Sequence, residues 1–166
     1  MKMKINTSAG FSFVELMVVI ALVGALSAVA LPNFLRNLPE KRLKNAARNV
    51  FADMQKARLQ AVKENREIVV SFDAAGTYHF EDEDGNTVWE GERLSTYGDA
   101  AYGCSFIADA AVPDTITYTH LGETVSETDP PPPEESIYLQ SPSAPEVCYE
   151  VIVARFGSVS IERHTK

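Results

Sequence analysis

The chain has 166 residues, 45% hydrophobic and 23% charged, enough for about one domain plus one long excursion and too apolar for wholesale disorder. Its net charge of −8 is unevenly spread: residues 11–66 hold nine Lys/Arg against four Asp/Glu, and residues 67–166 hold four against nineteen. A basic arm therefore precedes an acidic head, whose charge weighs against nucleic-acid binding.

Residues 1–10, MKMKINTSAG, are short and polar, with two lysines and no acid. From Phe11 to Leu31 the chain is apolar except for Ser12, Glu15, Gly24 and Ser27. As a helix this segment spans about 30 Å, the thickness of a bilayer core. Glu15 is its only ionisable side chain, and a carboxylate in a membrane helix marks a site with a partner. A secretory signal would also show basic residues, an apolar stretch and a small-x-small site such as Ala28-Val29-Ala30. Against that reading, the apolar run is long, an acid interrupts its start, and polar helix-like sequence follows directly. A plain signal anchor and a buried core helix are weaker alternatives, and no Cys near the end of the run suggests a lipoprotein.

The string Gly10-Phe11-Ser12-Phe13-Val14-Glu15, followed by LMVVIALVGALSAVALP, resembles the N-terminal signature of type IV pilins and type II secretion pseudopilins. The resemblance implies a leader over residues 1–10, cut by a prepilin peptidase between Gly10 and Phe11 on the cytoplasmic face, with N-methylation of Phe11. It implies that Glu15 pairs with the terminal amine of a neighbouring subunit and that Pro32 breaks the helix. The expected organisation is a transmembrane helix over 11–32, an amphipathic helix over 33–66 and a periplasmic β-rich head over 67–166. The resemblance places the chain in the bacterial inner membrane as a single-pass protein, and then in a filament. Charge counting opposes this topology, because Arg36, Lys41, Arg42 and Lys44 follow the apolar run while only Lys2, Lys4 and the terminal amine precede it. The topology is therefore taken from the resemblance.

Beyond Pro32, Leu43, Ala47, Val50, Met54, Ala57 and Ala61 recur at spacings of three and four, an apolar stripe suited to packing on a sheet. Lys41, Lys44, Arg48, Lys56 and Lys63 occupy other faces, which read as solvated or as an interface. Strand-like segments follow: IVVSF (68–72), TYHFED (77–82), NTVWEG (86–91), TITYTHL (115–121), SIYLQS (136–141) and CYEVIVARF (148–156). Asp84-Gly85-Asn86 signals a hairpin, and Asp129 to Glu135, with four consecutive prolines, a stiff exposed loop. The fold class is α+β, a long N-terminal helix packed through its second half on an antiparallel β-rich head. If the head is exported, Cys104 and Cys148 are expected to form a disulfide, whose loop closure would contribute roughly 4 kcal/mol at the upper end.

Ala57-Arg58-Leu59-Gln60-Ala61-Val62-Lys63-Glu64-Asn65 resembles the "ARxxAxxRN" run before the first strand of H-type pseudopilins and FimT/FimU-type minor pilins. Lys63-Glu64-Asn65 departs from the usual basic-Asn pair. VIVARFGSVSI resembles that family's closing strands, where a Gly-containing turn precedes a short last strand. The chain keeps Glu15, which the tip subunit of secretion pseudopili usually lacks, and no large extra domain like that subunit's is expected.

No catalytic or metal constellation stands out: His79, His120 and His164 are isolated, and Glu81-Asp82-Glu83-Asp84-Gly85 lacks EF-hand spacing, so a solvated hairpin tip is preferred to a calcium site. The expected function is structural and non-enzymatic, without cofactor or small-molecule substrate: a minor subunit of a type II secretion pseudopilus. Its expected partners are other pilin or pseudopilin subunits, the prepilin peptidase and inner-membrane lipid. A type IV minor pilin acting in assembly, adhesion or DNA uptake is the alternative, and a membrane-anchored periplasmic binding protein is the alternative of another class.

Overall fold

A computed structural model describes residues 11–73, 76–105, 107, 113–125 and 134–166, which divide into two units meeting between Asn37 and Leu38. The first contains helix α1, Phe13–Arg36. The second contains helix α2, Leu38–Glu64, and, among the described residues, nine strands. Pro32 lies inside α1, so the expected break at that residue gives way to a helix that continues to Arg36. A proline removes one backbone donor and crowds the preceding turn, but the remaining bonds of an apolar helix can hold the geometry. The two helices thus divide at Asn37, whose side-chain amide donates to the Asn33 carbonyl at 3.0 Å.

In the second unit, Leu43, Ala47, Val50, Met54, Ala57 and Ala61 are fully buried, together with Ala46. The stripe packs on two antiparallel sheets. The first, in the order β3-β2-β1-β5-β6, uses Ile68–Asp73 (β1), Thr77–Asp82 (β2), Thr87–Glu90 (β3), Thr115–Tyr118 (β5) and Thr124–Val125 (β6). The second, in the order β4-β7-β8-β9, uses Ala101–Tyr102 (β4), Glu134–Gln140 (β7), Val147–Ala154 (β8) and Val159–Thr165 (β9). Alternation sorts the faces: Ile68 and Val70, Tyr78 and Phe80, Ile137 and Leu139, and Tyr149, Val151 and Val153 face the shared core.

All six expected strand segments are present, TYHFED with the expected ends and the other five with at least one end shifted. TITYTHL stops at Tyr118, because Thr119–Gly122 makes a turn closed by the Gly122 N–H donating to the Thr119 carbonyl at 2.8 Å. Glu134 and Glu135, expected in the proline loop, instead begin β7, paired with Ala154 and Val153; Pro130 to Pro133 lie outside the described residues. The last strand has seven residues and is not short. At the Asp84-Gly85-Asn86 hairpin, Asp82 accepts from the Asp84 and Asn86 backbone N–H groups at 3.1 and 2.8 Å, and Gly85 takes φ +76°. Cys104 and Cys148 are disulfide-bonded, with Cα atoms 6.0 Å apart, tying the segment after β4 to β8.

Three elements meet at the far end of α2. Arg58 Nε donates to the Gly122 carbonyl at 3.0 Å and Nη2 to the Phe156 carbonyl at 3.2 Å, so one guanidinium holds the β5–β6 turn and the β8–β9 turn, one from each sheet. Gly157, at φ +75°, packs so closely that a Cβ there would lie 1.9 Å from the Gly122 oxygen. Helix α2 ends on Asn65 in the left-handed conformation, φ 53°, and the Arg66 N–H returns to the Ala61 carbonyl at 3.2 Å in a Schellman-type cap.

Removing the guanidinium leaves two turn carbonyls without their charged donor. Arg58→Ala is expected to lower unfolding free energy by about 1.5–3 kcal/mol. Arg58→Lys should recover less than half, since an ammonium cannot present a fork of donors. Urea titration of the full chain in detergent, followed by the single tryptophan, Trp89, stacked 4.1 Å from Phe80, measures both.

Candidate functional site

The N-terminal segment carries most of the residues singled out in the sequence. Gly10 lies outside the described residues. Phe11 is exposed, and Ser12, with extended backbone, occupies the N-cap position of α1. The Leu16 N–H donates to the Ser12 carbonyl at 3.1 Å, which sets Glu15 in the first turn, where the helix dipole favours a carboxylate. Among the described residues no cation pairs with Glu15. The 24 residues of α1 bury no side chain, and Glu15 and Arg36 are their only charges. At ~1.5 Å per residue the helix is about 36 Å long, sufficient to cross a bilayer core of about 30 Å. Ser27 returns its hydroxyl to the Val23 carbonyl at 2.7 Å, so this polar group within the apolar run is satisfied internally.

Among the described residues of the head, the large exposed apolar side chains gather at one end. Leu59 and Val62 project from α2, Leu121 from the β5–β6 turn, Val125 from β6 and Phe156 from the β8–β9 turn. These are the elements that Arg58 ties together, and Leu121 and Phe156 directly precede the two glycines of that junction. Apolar exposure gathered in this way is characteristic of an interaction surface.

The face of the second sheet away from α2 holds a polar cluster that the sequence did not reveal. His164, read as isolated, sits with Nε2 2.6 Å from Glu150 Oε2, because the antiparallel register of β8 and β9 sets position 164 opposite Cys148 and position 162 opposite Glu150. Ligand atoms of Glu150, Glu162 and His164 all lie within 4.8 Å of one another. Burial alone would raise the Glu150 carboxyl, but hydrogen bonds from Ser136, Tyr138 and His164 outweigh it and hold the group below the usual carboxylate range. Its acceptor capacity is thus used by the protein, which makes this a hydrogen-bond hub in preference to a metal centre. His79 also has an acidic neighbour, Glu81 Oε1 at 3.2 Å. The signal that could have found the hub was the alternation on adjacent strands, but only once their register was known.

A pH dependence follows. Glu150 has a depressed folded-state pKa, so its stabilisation is present above the unfolded carboxyl value and is lost as pH falls through the lower folded value. Glu150→Gln is expected to cost about 1–2 kcal/mol at pH 7 and to reduce the loss of stability on acidification below about pH 4.5. Chemical denaturation of both proteins between pH 7 and pH 3 tests the crossover.

Comparison with known proteins agrees with this geometry. Residues 46–157 match the family model described as type II transport protein GspH, and residues 5–31 match the prokaryotic N-terminal methylation motif. No curated protein matches the chain. Among solved structures, the type IV minor pilin FimU of Pseudomonas aeruginosa is 17% identical, with a TM-score of 0.56 over 74% of this chain and 90% of that one. The minor pseudopilin EpsH of the Vibrio cholerae type 2 secretion system is 11% identical, with a TM-score of 0.54 over 73% of this chain and 96% of that one. At these identities the two structures establish the likeness of fold.

Proposed function

The chain belongs to the type II transport protein GspH family, and from that premise we propose that it is a minor pseudopilin: a structural, non-enzymatic subunit of a type II secretion pseudopilus. The observation that carries the reading is α1, an unburied apolar helix whose early turn holds one carboxylate, joined to a GspH-family head. Such a helix requires lipid before assembly and other helices afterwards. The proposed path is insertion in the inner membrane with the head in the periplasm, cleavage between Gly10 and Phe11 by a prepilin peptidase, N-methylation of Phe11, and entry into the filament beside other pilin-type subunits. A disulfide between Cys104 and Cys148 suits an oxidising compartment. A type IV minor pilin remains the second reading, supported by the fold likeness to FimU. A membrane-anchored binding protein would share the helix but would not copurify with filaments.

Intact-mass spectrometry of the membrane-extracted protein is expected to give a chain starting at N-methyl-Phe11, and Gly10→Val should retain the leader. A mature terminus at Leu31, or uncleaved Met1 in the wild type, would overturn the reading.

The carboxylate supplies a separate test. An unpaired charge in lipid is unfavourable, and a neighbour's terminal amine would relieve it only after cleavage and only in the filament. Glu15→Ala is therefore expected to leave processing and membrane level unchanged while lowering the amount in sheared filaments by tenfold or more. Equal incorporation would remove Glu15 from the assembly mechanism.

A further inference from the structure

Helix α2 and strands β8 and β9 border a cleft of about 340 Å³, lined by Lys44, Arg48, Tyr149, Ile161, Glu162 and Arg163. Its charges are not balanced. Arg163 donates through Nε and Nη2 to Glu40 Oε1, at 3.0 and 2.9 Å, and is neutralised there. The Glu162 carboxylate belongs to the cluster with Glu150 and His164 on the other face of the sheet. Lys44 and Arg48 remain. Both are exposed, they stand one helical turn apart, and no carboxylate pairs with either among the described residues. Like charges at this spacing repel within the helix, so the arrangement is unfavourable until an anion lies between them.

We propose that this cleft is a docking surface for an acidic segment of an adjacent filament subunit, its carboxylates held by Lys44 and Arg48 and an apolar side chain seated against Tyr149 and Ile161. The inference rests on the filament reading above. The floor is formed by the Tyr149 ring, whose hydroxyl is engaged by Arg163, and by the Ile161 side chain, both packed in the core cluster, so a bare phosphate would leave their apolar surface uncovered. A polypeptide segment supplies both chemistries.

The electrostatics of the chain point the same way. Residues 67–166 carry nineteen acids against four bases, so heads of this composition repel when brought side by side. With screening over about 8 Å at physiological salt, that repulsion is relieved where acidic surface directly meets exposed cations, and the unpaired Lys44 and Arg48 of α2 are suited to this. Exposed acids such as Glu83 and Asp84 at the β2–β3 turn show the type of segment required. Opposed charge at such a contact selects partner and register more than it adds affinity.

The test uses the full chain in cells that assemble the filament, with a photo-crosslinking amino acid at Asn45, exposed beside Lys44. The expected adduct maps to a Glu/Asp-rich segment of another pilin-type subunit and falls at least tenfold in K44E/R48E. Changing the mapped acids to lysine should restore it. Adducts to lipid, adducts to a segment without acids, or adducts undiminished by the charge reversal would overturn the proposal. K44Q/R48Q, expected to lose adduct to an intermediate degree, serves if the reversal does not accumulate, and an intact Cys104–Cys148 disulfide reports folding of each variant. Absence of the wild-type chain from sheared filaments would sink the filament reading itself. A chain that enters filaments without a cleft adduct sinks only this inference.

Discussion

Both sheets of the head draw their core from a single helix face, and the rest of the fold is arranged around that constraint. Leu43, Val50 and Met54 fill the space over the strands, while Ala46, Ala47, Ala57 and Ala61 let backbone approach closely. Neither sheet is large enough to bury its own apolar face, so each is stable only while it covers α2. Two sheets on one stripe must also be kept from sliding apart. Arg58 does this at one end by holding a turn from each sheet, and near the same end the Thr124 N–H of β6 donates to the Arg155 carbonyl just beyond β8 at 2.8 Å.

Seen from that junction, the run Ala57 to Asn65 is a mechanical device. Ala57 and Ala61 belong to the stripe, Arg58 ties the turns, and Asn65 supplies the left-handed residue that stops the helix. The departure at Lys63-Glu64 also has a use, since Glu64 pairs with Arg66, which reaches Asp82 at 2.9 Å at the end of β2. A resemblance carried by a few letters therefore marks the point where helix gives way to sheet. It need not mark a binding site.

Much of this was legible because it is periodic. The stripe on α2 matched position by position, and the β-branched and aromatic strands matched in type, all but TYHFED with an end displaced by one to three residues. The two-residue strands β4 and β6 were not legible, because their existence depends on pairing with β7 and β5 and leaves no local pattern. Position β1 beside β5 likewise follows from tertiary packing across more than forty residues of sequence. The same limit hid the Glu150–His164 pair, which exists only through strand register. Pro32 is accommodated within α1, which runs on to Arg36.

The helix α1 and the head set different conditions on assembly. Every apolar side chain of α1 can be satisfied by lipid tails as readily as by other helices, so burial alone gives little preference for the filament over the membrane. Glu15 changes that balance on the proposed reading, because the hydrocarbon core offers no cation and a neighbouring processed terminus does. The head would add a second selection on the proposed reading: its excess of acids opposes close approach of like surfaces, and exposed cations such as Lys44 and Arg48 of α2 relieve it. On that reading, a generic helix with one charge would drive entry into a filament, while the surface of the head would select among neighbours.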